Sequence, residues 1–202
     1  IHVPRLKLTW FLEEFINYSN QVFPTIDSHN RESIKAALEQ FDINKFSWFS
    51  YDDLGGLCQG DILNKIPFEL HDENGKNEIL PTKAMVISNS CDIENDQDIL
   101  LAPLIPYTVS NKFNESQKRD LLNNKFFGKM CLTHSSIENY YVDFSKIQSF
   151  NKQLIMKLID EDKLVIEYSL SQFGWYFLLT KLTMHFMRVE DQELFSSRLK
   201  GA

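Results

Sequence analysis

Two short runs, at residues 84–88 and 99–105, carry apolar side chains at nearly every position, and a polar loop at 94–97 separates them. A strand turns successive side chains to opposite faces, so strands that are apolar throughout must be covered on both sides. That requirement limits the chain to folds with material above and below a sheet. Upstream, Gly60-Asp61-Ile62-Leu63 leads into a run at 66–70, and the polar stretch 71–77 follows. Its Asn74-Gly75 pair favours a tight reversal. These three runs predict a consecutive antiparallel meander. β character returns at 129–133 and 140–144, and a further strand pair is expected around 147–150 and 164–168. The polar segment 111–125, with Leu121-Leu122, is either a helix or a long insertion.

Helical patterns flank this β-rich centre. Thr9 can cap a first helix on which Phe11, Phe15 and Tyr18 recur at helical spacing, until Pro24 stops it. Asp27 or Ser28 can start a second at 31–41, and the aromatic residues Phe46, Trp48, Phe49 and Tyr51 then dock the helices on the centre. At the other end, Ser171 can cap a helix from Gln172 to about Arg188, apolar on almost every side and therefore bound for a core or an interface. A short last helix is expected at 191–199. The class is α+β: an N-terminal helical extension (1–50), a β core (51–170) with an insertion at 108–127, and C-terminal helices packed on that core (171–202).

Composition narrows the setting. Of 202 residues, 43% are apolar and 16 are Phe, while Gly (7) and Pro (6) are sparse, which opposes disorder and supplies a real core. A net charge of −7 disfavours nucleic acid as a partner. Three scattered cysteines do not make a disulfide framework, so a reducing cytoplasm is expected. The first residues lack the pattern of a signal peptide, and the start at Ile1 instead of Met leaves the native N-terminus open. The longest apolar stretch, 173–179, is far short of the roughly 18–20 residues of a membrane span, so no membrane partner is expected.

Chemistry concentrates where the run 84–88 ends in Ser88-Asn89-Ser90-Cys91-Asp92. Sites are commonly built on loops held by a rigid scaffold, and this segment carries hydroxyls, an amide, a thiol and a carboxylate. Cys91 needs a His, Lys or helix N-terminus to become a nucleophile, and no His adjoins it in sequence; His71, His134 and His185 are the ones that could approach in space. Asp92 is expected to accept backbone N–H groups of its own loop. Asp61, at a strand start, is expected to hold a turn, and Asp143 to meet solvent or a basic partner. Arg188 could pair with such an acid or complement its helix dipole. Cys131-x-x-His134 is a lone pair, and nothing in the spacing gathers Asp61, Asp92, Glu94 and Asp143 around a cation. No metal and no cofactor are expected.

The motifs Gly60-Asp61-Ile62, the strand at 83–88 and the strand at 100–104 resemble the opening of the PemK/MazF-like toxins, bacterial endoribonucleases built on a small SH3-like barrel. The resemblance covers residues 59–106 and implies an SH3-like antiparallel β-barrel as the centre of this chain. It departs at the residues that carry the toxins' chemistry: their Arg-Pro is Lys83-Ala84 here, and their Thr falls near Ile105-Pro106, with Thr108 displaced. A wider resemblance, to uncharacterised bacterial proteins, joins Gly60-Asp61-Ile62, residues 88–93, Val142-Asp143-Phe144 and Phe186-Met187-Arg188-Val189. Together these imply a non-catalytic assembly or regulatory module of a bacterial toxin-like or phage-defence system. Protein partners would dock through the aromatic N-terminal or C-terminal helices, and Ser88, Asn89, Ser90, Asp92, Asp143 and Arg188 are the binding candidates. The alternative is a divergent nuclease using Lys83, Cys91 and Asp92.

Overall fold

The computed structural model describes residues 47–187, apart from 53, 72–73, 108–112 and 133–134. The expected helices before residue 46, the one at 191–199, and Arg188, His134 and Thr108 lie outside the described residues. The chain divides into units 1–46 and 47–202, and every described residue belongs to the second.

Seven strands of the described residues form one antiparallel sheet: β1 (Ile62–His71), β2 (Asn77–Val86), β3 (Asp98–Pro106), β4 (Lys129–Cys131), β5 (Tyr140–Asp143), β6 (Gln148–Asn151) and β7 (Ile166–Tyr168). The order is β4-β5-β3-β2-β1-β7, with β6 also paired to β3. The expected meander is present as β1, β2 and β3, and the turn through Asn74-Gly75 closes its first hairpin at His71 and Asn77. Along the edge away from β2, β3 pairs first with β6, from Asp98 to Leu101, and then with β5, from Leu104 to Pro106. A 3-10 turn, Phe144–Lys146, steps the chain from β5 to β6. The sheet is open, with β4 and β7 at its ends, so backbone pairing alone does not close the expected barrel.

The two late strands exist but do not pair with one another: β6 joins β3 and β7 joins β1. The reason is α3 (Lys152–Asp160), which occupies the connection and carries the chain across the sheet. Asn151 caps it by accepting the Leu154 N–H at 3.0 Å. Within the insertion, α2 (Glu115–Leu122) has a capping box in which Asn114 and Gln117 exchange side-chain and backbone bonds.

Both sheet faces are covered, as the doubly apolar strands require. On one face Leu63, Ile66, Phe68, Ala84, Val86, Ile99 and Leu101 pack with Ile155 of α3 and Ile93. On the other, Ile62, Met85, Ile87, Ala102 and Leu104 pack with Trp48, Val142 and Leu178. Leu178 belongs to α4 (Gln172–Met187), whose start is tied down by Ser171: its Oγ accepts the Gly174 N–H at 3.2 Å and its N–H donates to Trp48 O at 2.9 Å. The Trp48 ring packs at a tilt against Phe173 and edge-to-face against Phe177 of that helix. No helix among the described residues is long and apolar enough to cross a membrane.

Candidate functional site

β2 delivers its polar end into α1 (Ser90–Asn95), and each small polar group there has a structural use. Ser88 Oγ accepts the Leu100 N–H at 2.9 Å, extending the β2–β3 ladder by one bond. Asn89 is the helix N-cap and accepts the Cys91 N–H at 2.9 Å, while Ser90 Oγ accepts the Gln59 N–H at 3.0 Å. Ile93, buried between the exposed Asp92 and Glu94, pins the helix to the core. The carboxylate expected to hold this turn does not: Asn89 takes that role, and Asp92 stands exposed in the first turn.

A second turn meets the first. Asp61 is fully buried and its Oδ2 accepts the Cys58 N–H at 2.8 Å, the turn-holding role expected of it. Gly60 N–H donates to Val86 O, and Val86 N–H to Asp61 O, which joins this turn to the end of β2. Gln59 links three elements. Its N–H reaches Ser90, its Nε2 donates to Ile87 O at 2.8 Å, and its Oε1 accepts from Trp175 Nε1 of α4 at 2.9 Å. Buried amides remain favourable only when so fully bonded.

Between these turns and α3 lies a cleft of about 400 Å³. The loop 54–58 forms one wall, Ser90, Ile93 and Glu94 of α1 another, and Lys152 and Met156 of α3 the third. The Lys152 ammonium donates to Glu94 O at 3.1 Å, bridging α3 and α1. The Cys58 thiol faces this junction. Burial and the nearby Asp61 charge raise its pKa, against a lowering contribution from its hydrogen bond with Ser90, so it stays protonated at neutral pH.

The other candidates sit elsewhere. Lys83 lies five residues before Ser88, about 16 Å along a strand, and is ion-paired with Glu167 of β7 across β1. It therefore does not join Cys91 and Asp92 in one cluster. Asp143 is buried; its Oδ2 accepts from Lys129 Nζ at 2.9 Å and its Oδ1 from Ser145 N–H and Oγ. That is the basic partner expected of it, at the β5 end of the sheet. Cys91 is exposed, whereas Cys131 is buried and its thiol is pushed up to about 12, chiefly by burial. Among the described residues no group of three or more His, Cys, Asp or Glu could hold a metal ion.

Gly55, Gly56, Lys152 and Met156 line the cleft without belonging to any motif singled out in the sequence. Gly-Gly marks a loop, and Asn151 before the apolar spacing of Ile155, Met156 and Ile159 marks a helix start, so signals for both walls were present. Comparison with known proteins gives no matching family model and no matching curated protein.

Proposed function

We propose that the chain is a non-catalytic assembly or regulatory module of a bacterial multi-protein system of the toxin-like or phage-defence kind, acting in the cytoplasm. The observation that carries this reading is the use of Ser88, Asn89 and Ser90. All three side-chain oxygens accept backbone N–H groups of the fold. Groups committed in this way hold a turn, and leaving the Gln59 N–H, the buried donor among the three, unpaired would cost about 1–3 kcal/mol. The ion pair of Lys83 with Glu167 points the same way, because it neutralises the cation a nuclease would aim at phosphate. The bacterial setting comes from the sequence resemblance alone.

The architecture we propose is an SH3-like barrel closed by a side chain. The Gln148 amide of β6 both accepts from Glu69 N–H (3.2 Å) and donates to Glu69 O (2.6 Å) of β1, reproducing a ladder pair where backbone pairing stops. The rings of Phe68 and Phe150 meet edge-on beside it, with centroids 5.3 Å apart.

The far end of α4 is the surface we assign to a partner protein. Met184, Phe186 and Met187 are 42%, 65% and 59% exposed, an apolar end on a helix otherwise laid on the core. The test is the size of the assembly formed by the tagged full chain in its native cells. The wild type is expected in a complex larger than the chain, Phe186→Asp with Met187→Asp to migrate alone, and Cys91→Ala to behave as wild type. Migration of the wild type as a lone chain would overturn the reading.

A further inference from the structure

We propose that the cleft between the 54–58 loop, α1 and α3 seats a partner polypeptide that inserts one large apolar side chain flanked by lysine or arginine. This rests on the assembly reading above and names the chemistry of the partner. The cleft has the build of an anchor pocket. Its floor is apolar, with Leu57 and Ile93 only 8% and 6% exposed, and Met156 supplies an adaptable wall. Its volume of about 400 Å³ is at the small end for a ligand site and suits one anchor side chain. Gly56 leaves the mouth clear, since an added Cβ would meet no atom within 4 Å.

Charge selects the flanks. Glu94 lines the cleft, and Asp92, Asp96 and Asp98 are exposed on the same short stretch. Asp98 is brought to the rim by its pairing with Asn151, the neighbour of Lys152. Glu94 at the cleft, Asp98 at its rim and the nearby Asp92 and Asp96 thus outnumber the Lys152 ammonium, which itself donates to Glu94 O. Such a rim attracts cationic flanks, raises the association rate and repels a phosphate backbone.

The test is fluorescence anisotropy of the full chain with a labelled Gly-Lys-Arg-Trp-Arg-Lys-Gly peptide. Two controls are needed, one with Trp replaced by Gly and one with its four basic residues replaced by Asp and Glu. The basic Trp peptide is expected to bind at least about tenfold tighter than either control. Gly56→Trp, which fills the mouth, is expected to weaken it about tenfold. Leu54→Ser, at a half-exposed position, should weaken it in the same direction, with thermal unfolding checking that both variants fold. Glu94→Lys with Asp98→Lys is also expected to cost about tenfold, an effect that fades as salt is raised to about 0.5 M. Equal binding of the Trp-free peptide, or indifference to Gly56→Trp, would overturn the inference. If native assembly is lost in the α4 variant yet intact in Gly56→Trp, the cleft proposal falls and the assembly reading stands.

Discussion

Gly60 holds φ at +92°, and a Cβ there would stand 2.7 Å from Leu170 Cδ1. Gly75 also has positive φ, +77°, but faces open space. Gly60→Ala should therefore lower unfolding stability by about 2–3 kcal/mol and Gly75→Ala by only about 1 kcal/mol, as read by urea denaturation. Equal losses would mean that the turn does not press on Leu170. Lys181 offers a pH test at the same scale. It is buried, donates to Asn124 O at 2.8 Å and Phe126 O at 2.6 Å, and burial lowers its pKa from 10.5 to about 8. Between pH 8 and 10.5 the unfolded chain holds more protons than the folded one, so this group makes stability rise with pH. Cys131 and Tyr141, both raised to about 12 chiefly by burial, act in the opposite sense above pH 9. The clean quantity is wild type minus Lys181→Met. That difference should rise by about 1–3 kcal/mol from pH 7 to 10.5 in denaturant titrations, and a flat difference would refute the buried ammonium.

Elements show how far the sequence could be read. The β1–β3 meander was legible because runs of apolar residues broken by Asn74-Gly75 leave few other foldings. The spacing within β1 was not. Leu63 and Ile66 are three residues apart yet face the same core, because the register slips between them and Lys65 adopts φ +52°. A bulge of this kind depends on what the neighbouring strand needs, and local pattern does not carry that. The partners of β6 and β7 were likewise hidden, since pairing is settled by long-range packing of α3 and not by sequence proximity. Closure by Gln148 was invisible for the same reason. Gln148→Ala should cost about 1–2 kcal/mol and speed hydrogen exchange of the Glu69 amide, while leaving exchange in β4 unchanged. Unchanged protection at Glu69 would show that the amide bridge does not close the sheet.

At the scale of the whole molecule, an acidic chain carries a double-faced sheet whose polar strand end was legible as a place but not as a role. The motif Ser88-Asn89-Ser90 announces hydrogen-bonding groups, but their acceptors are spent on Leu100, Cys91 and Gln59, partners that the fold brings to them. The cleft draws on the 54–58 loop, α1 and α3, segments remote in sequence, so no motif could spell it. The central claim is that this strand end supports contacts instead of breaking bonds. Its most direct test is incubation of the purified full chain with labelled RNA and single-stranded DNA, beside Lys83→Ala and Asp92→Ala variants. The account predicts that wild type and both variants leave the substrates as intact as buffer does. Cleavage by the wild type that is lost in either variant would contradict it.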